Sequence, residues 1–393
     1  MVTGSIMALA NLDFEQLRSK VIAAYHADDR TLGRFREYAR RLRADVRPLR
    51  TYAVNAVSFV SADGGDNRLR LDPAAVELVR VVDSRGNQCA LDAVPGMITL
   101  QELEQRAISG NPNVVMPLER LCTDLGKTLG DLSFIIRGVG QSGKSTGALR
   151  CYRDIVEWAV LYDLVANPSL QWGGDTILIR DGLLRTKSFK REVFPHIDRR
   201  LREAVAEHMK RNVTLSLVGV AKQSAVLGRL AVALELEATF HKPFPCYVRV
   251  PEDIEKECYN FDRTWLDTYE TSEPDDDGHR LYQSLGRLFL VKFGDQSLDP
   301  VWPVDIAEWE VKEAEKILGQ LTVDAQQGFP IPDYPMTIQR AHDFAKLTGL
   351  EIAILEDLLL EGMCRNLNSD EADRLLRLKH LGRSLAALRY KEA

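Results

Sequence analysis

The amino-acid sequence predicts an α/β protein with a mixed β-sheet flanked by helices. Three observations lead there. Strand-like runs cluster early, at residues 52–61, 68–71 and 76–82. Helical and strand patterns then alternate, with helices over 148–165, 195–209 and 224–236 and strands over 176–180 and 213–220. That succession belongs to α/β architectures. The 213–220 run is almost continuously apolar, as expected of a strand covered on both faces.

Composition narrows the class. The chain has 393 residues, room for two or three average domains. Hydrophobic residues make up 45% and charged residues 27%, which excludes wholesale disorder. Lys plus Arg is 51 and Asp plus Glu is 57, so the formal charge is −6. An acidic chain does not coat itself non-specifically in nucleic acid, although a local basic groove stays compatible with it. The six cysteines are scattered and none forms a C-x-x-C pair, which argues against a zinc knuckle and a disulfide framework. The first residues lack a basic region, so no secretory signal is expected. No apolar stretch approaches the ~18 residues of a membrane helix. The expected setting is a reducing cytoplasm, with no membrane partner.

Phe14, Leu17, Val21 and Ile22 at helical spacing predict a first helix, opening at Asn11 or Asp13. A second helix over 31–42 carries Arg34, Arg36, Arg40 and Arg41. It reads either as a solvated face or as a phosphate-contacting arm. Helices are expected near 100–107 and 117–129, and the polar stretch 271–280 reads as a loop. Late strands follow at 288–293 and 301–306, then a helix over 308–321 and a Gly-Pro connector at 328–332. From Tyr334 onward the chain is nearly all helix. The domain expectation is an Arg-rich helical arm over 1–50, a core over 51–348 and C-terminal helices over 349–393.

Four motifs carry chemistry. Two strands are expected to end in Asp-Gly, at Asp63-Gly64 and at Asp181-Gly182. Strand alternation puts Asp63 on the face of Val57 and Phe59, and Asp181 on the face of Ile177 and Ile179. An ionised carboxylate on an apolar face needs a partner or a metal. If the two strands are neighbours, the carboxylates converge on a hard, oxygen-rich site suited to Mg²⁺ or Mn²⁺. Taken singly, each Asp-Gly is also a common hairpin turn. The third motif, Val218-Gly219-Val220-Ala221-Lys222-Gln223-Ser224, delivers a lysine at a strand end before a helix with Ser224 as N-cap. Lys222 suits a phosphate as a point charge. The fourth places His342 on a helix after Tyr334-Pro335 and beside Asp343.

In this order, the ADGG segment, IRDGLL (179–184), VGVAKQS (218–224) and YPMTIQRAHDFA (334–345) resemble the NurA nuclease family. The resemblance implies a ribonuclease H-like core that cuts DNA with manganese. It makes Asp63 and Asp181 metal ligands, with a glutamate from the preceding helix as a third acid. Glu157 is the candidate, and Asp154 or Glu192 are alternatives. His342 would complete the metal site and Lys222 would touch the scissile phosphate. Two Mn²⁺ or Mg²⁺ ions, roughly 3.5–4 Å apart, would activate a water and stabilise the leaving oxygen. The resemblance also implies a homodimer working with a HerA-type hexameric ATPase on DNA ends. Both repair and defence against foreign DNA are compatible with that.

A competing motif stands at 138–145, where Gly138, Gly143, Lys144 and Ser145 fit G-x-x-x-x-G-K-[ST]. It predicts a P-loop NTPase if a strand precedes it and a helix follows. The preceding apolar run is only about four residues, short for such a strand. The nuclease reading instead gives Lys144 and Arg150 to DNA phosphates and ranks first. A third reading is a non-catalytic adaptor that docks a partner through C-terminal stripes such as Leu350, Ile354 and Leu358. Ordinary core packing is the expectation for most of those leucines.

Overall fold

The computed structural model describes residues 14–27, 29–52, 57–71, 74–108, 116–139, 145–265, 283–365 and 367–381. The 271–280 stretch and residues 140–144 of the Gly-rich motif lie outside them. The strands are β1 (Arg47–Pro48), β2 (Ser58–Leu71), β3 (Ala74–Asp83), β4 (Gln88–Pro95), β5 (Thr176–Asp181), β6 (Arg185–Thr186), β7 (Leu215–Val220), β8 (Cys246–Arg249), β9 (Gln283–Ser284), β10 (Gly286–Lys292) and β11 (Val301–Ala307). The chain forms two compact units. One comprises Met1–Asn55, Gly182–Arg185 and Leu217–Met336; the other comprises Ala56–Asp181, Thr186–Ser216 and Thr337–Ala393.

The first unit carries strands in the order β1-β8-β10-β11-β7. β10 is antiparallel to both β8 and β11, and β11 is antiparallel to β7. The Asp29–Asp45 and Ala225–Leu236 helices close one face with Phe35, Leu42, Leu230 and Leu234, against Val248, Leu288 and Leu290. Ser224 caps the Ala225–Leu236 helix, accepting a hydrogen bond from the Leu227 amide. The arginines of the Asp29–Asp45 helix are not presented as a phosphate arm. Arg36 and Arg40 both reach Glu237, Arg34 reaches Glu257 and Arg41 reaches Asp253. Charge that looked unopposed along the chain is neutralised by carboxylates some 200 residues away in sequence.

The second unit carries β5-β2-β3-β4. β2 is parallel to β5 and antiparallel to β3, which is antiparallel to β4. The Ser145–Ala166 helix packs on β2, β3 and β4. The Gly349–Cys364 helix covers the other side of β2, where Ile352, Leu355 and Leu359 meet Leu69 and Leu78. Leu350, Ile354 and Leu358 face away from that core, 73%, 50% and 55% exposed, so the expected core packing fails for this stripe.

Several local expectations change. β2 does not end at Asp63-Gly64 but runs 14 residues through both glycines. The ladder to β3 continues there, with Asp63 opposite Val82 and Gly64 opposite Val81. Cross-strand hydrogen bonding overrides the turn preference of Asp-Gly. The apolar run Phe134-Ile135-Ile136 is a helical turn, Phe134–Arg137, and not a strand. Four apolar residues carry no usable period. The helix expected over 308–321 begins as a 3₁₀ segment, Glu308–Glu313, and becomes α-helical at Ala314–Ala325. β4, β8 and the Glu252–Trp265 helix were not legible in the sequence. The six cysteines are free. Among the described residues no helix is long and apolar enough to cross a membrane.

Candidate metal centre

The register of β2 and β5 builds the site. Their parallel pairing runs from Ser58 opposite Thr176 to Ala62 opposite Arg180. Asp63 and Asp181 are the next residue on each strand, so both carboxylates emerge side by side on one face. Beyond Asp181 the chain turns at Gly182, whose φ of 111° is a conformation that L side chains rarely adopt. The Met336–Ala345 helix buries Ile338, Ala341 and Ala345 and turns His342 outward. Its Nδ1 lies 2.8 Å from Asp63 Oδ2.

One ligand atom from each of Asp63, Asp181 and His342 lies within 4.8 Å of the other two. Donors bound to one ion at about 2.1–2.6 Å sit at most about 5 Å apart, so the spacing fits a shared cation. The two carboxylates suit Mn²⁺ or Mg²⁺, and the imidazole nitrogen favours a first-row transition ion such as Mn²⁺ over Mg²⁺. Asp63 is buried, Asp181 half-buried and His342 exposed, which leaves the site open from the histidine side.

Glu157 reaches the same strand from the opposite face. Gly64 alternates with Asp63, and a Cβ at Gly64 would overlap the Glu157 carboxyl. The absent side chain is what lets the carboxyl rest on the strand backbone. Burial pushes the Glu157 carboxyl up to about 8, Arg180 opposes the rise, and Asp154 and Asp63 add to it. Arg153 Nε stands 3.5 Å from Glu157 and Arg180 3.8 Å. Glu157 is therefore next to Asp63 but not one of the three converging residues.

Of the alternatives for a third acid, Asp154 is committed elsewhere. It accepts from Arg180 at 2.7 Å and from the hydroxyls of Thr186 and Ser188 at 2.6 Å each. Glu192 is exposed and outside the cluster. The Arg180–Asp154–Thr186–Ser188 network is not legible in the sequence. Its only linear signal is the arginine inside an otherwise apolar strand, Ile177-Leu178-Ile179-Arg180.

The remaining site residues fall as follows. Lys222 belongs to the first unit, exposed, with its ammonium 5.6 Å from the centre of the Tyr334 ring. Tyr334 is fully buried and donates to the Val220 carbonyl at 3.2 Å. Arg150 is exposed on the Ser145–Ala166 helix. Gly143 and Lys144 lie outside the described residues. Gly138 caps the Phe134–Arg137 helix and Ser145 begins the next one. The P-loop reading thus loses the strand it requires, because a helical turn occupies that place.

No family model matches the chain, and no curated protein matches it. Among solved structures, the chain is similar to the NurA nuclease from Sulfolobus solfataricus, at 12% identity and a TM-score of 0.36, covering 90% of this chain and 98% of that one. It is similar to a NurA structure with manganese at 12% identity and a TM-score of 0.37, covering 89% and 99%. A NurA structure bound to dAMP and manganese matches at 13% identity and a TM-score of 0.37, covering 92% and 99%.

Proposed function

We propose that this chain is a divalent-metal-dependent DNA nuclease of NurA type, on a ribonuclease H-like core. The observation that carries the reading is the convergence of Asp63, Asp181 and His342 within 4.8 Å. These donors come from positions 63, 181 and 342 and meet only through the fold. Four motifs in the order of the NurA family support the choice of DNA as substrate.

The donor set fits Mn²⁺ or Mg²⁺, which Asp63, Asp181 and His342 would hold, with Glu157 on the other face of β2 behind Asp63. Bound there, a divalent ion supplies Lewis-acid polarisation of a phosphoryl oxygen and a more acidic water. The chain's residues do the rest. Asp63 and Asp181 concentrate negative charge at one edge and keep phosphate oxygens out unless a cation intervenes. His342 orients Asp63 through Nδ1 and presents its ring to solvent, where substrate arrives. Burial favours the protonated form of the Glu157 carboxyl, and a cation held beside Asp63 would favour its carboxylate. Lys222 and Arg150 supply exposed positive charge for strand phosphates.

The same reading includes two ions, a homodimer and a HerA-type ATPase partner, in end resection or in defence. The test is cleavage of end-labelled linear DNA by the purified chain during a Mn²⁺ titration. Asp63→Asn and Asp181→Asn are expected to abolish cutting while leaving the circular dichroism spectrum unchanged. Full activity in either variant overturns the site.

A further inference from the structure

A second site is built on the first unit's sheet, and it shares no residue with the Asp63 cluster. The antiparallel pairing puts Arg47 opposite Tyr247 and Arg249 opposite Phe289. Tyr247 and Arg249 are two apart on β8, so all four side chains occupy one face of the sheet. The other face, with Cys246, Val248 and Leu290, is core. The Arg–aromatic face lines a cleft of about 570 Å³ together with Lys312, Glu315 and Asp45. Its size falls among small-molecule sites, roughly 300–1,000 Å³.

The charges in this cleft are handled differently from those around it. Six arginines of the same unit, Arg34, Arg36, Arg40, Arg41, Arg185 and Arg287, each reach a carboxylate. Arg47, Arg249 and Lys312 reach none among the described residues, and all three are exposed. Three cations from three separate elements thus line one concavity and outnumber its two carboxylates, Asp45 and Glu315, which leaves the cleft with a positive balance. Guanidinium and ammonium groups so placed match a phosphate ester. Asp45 and Glu315 change what else the ligand must carry. Two carboxylates repel a bare anion but accept hydrogen bonds from hydroxyl or amino groups.

We propose that this cleft binds a nucleotide unit, its phosphate among Arg47, Arg249 and Lys312 and its sugar or base donors toward Asp45 and Glu315. The unit is either a free mononucleotide or one residue of a nucleic-acid strand. The inference stands apart from the nuclease reading, because it needs no metal and no residue of the Asp63 cluster.

The test is fluorescence anisotropy on the full chain in chelator, with labelled thymidine monophosphate and labelled short oligothymidine as probes. Saturable binding is expected, weakened at least about tenfold by Arg249→Ala combined with Lys312→Ala. Both substituted side chains are exposed, and thermal melting of the variant confirms that it folds. Binding of both probes assigns the cleft to a free nucleotide, and binding of oligothymidine alone assigns it to a strand. Failure of both probes, unchanged affinity in the double variant, or equal competition by inorganic phosphate overturns the proposal. Failure of the nuclease reading would show instead as metal-dependent cleavage that survives Asp181→Asn.

Discussion

Glu157 seats its carboxyl directly on the backbone of Gly64, on the face of β2 opposite to Asp63. The glycine of this Asp-Gly pair therefore makes room for a side chain, whereas Gly182 after Asp181 makes a turn.

Gly64→Ala is expected to push Glu157 off the strand. Overpacking of this kind costs about 1–3 kcal/mol. The variant is expected to melt at a lower temperature and to lose most Mn²⁺-dependent cleavage. Cleavage at the unsubstituted rate, with an unchanged melting temperature, would refute the seat.

Manganese is expected to stabilise the protein through the converging ligands. A ligand at a hundred times its Kd adds about 2.7 kcal/mol to the folded state. Thermal melting with and without Mn²⁺ should show an upward shift in the unsubstituted chain and none in Asp181→Asn. Equal shifts in the two would place the ion elsewhere.

The pH dependence of stability follows from Glu157. Its folded-state value of about 8 lies above its ordinary 4.5. The favourable protonated form is fully present below about pH 4.5, and its contribution is lost as pH rises through about 8. In chelator, the unsubstituted chain is expected to lose stability relative to Glu157→Gln across that window. Urea unfolding at three pH values checks it, and a constant difference between the two proteins contradicts the assignment.

Asp154→Ala is expected to destabilise by about 1–3 kcal/mol, because Arg180, Thr186 and Ser188 lose a common acceptor. Asp154→Asn keeps the shape and one acceptor oxygen and should recover part of the loss. Denaturant midpoints compare the two, and an Ala variant as stable as the Asn variant counts against the network.

The chemistry-bearing residues were legible as linear motifs. Asp181 at a strand end, Ser224 as a cap and His342 on a helix follow from rules that act within a few residues. The strand of Asp63 was legible too, but not its length, since its continuation depends on β3. The arginine-rich helix reads differently in three dimensions. The Asp29–Asp45 helix spends its charge on Glu237, Asp253 and Glu257, while Arg47 and Arg249 acquire a shared cleft only when β1, β8 and β10 pair.

Local sequence determined which residues could act: carboxylates placed on apolar strand faces, glycines beside them, a histidine on the right helix. Only the tertiary structure decided which of them meet. Parallel register brought Asp63 level with Asp181, and packing of the Ser145–Ala166 helix on β2 seated Glu157 against Gly64, on the face opposite Asp63. Register and helix packing are set by contacts between residues some 90 to 120 positions apart, and no short window of sequence contains those contacts.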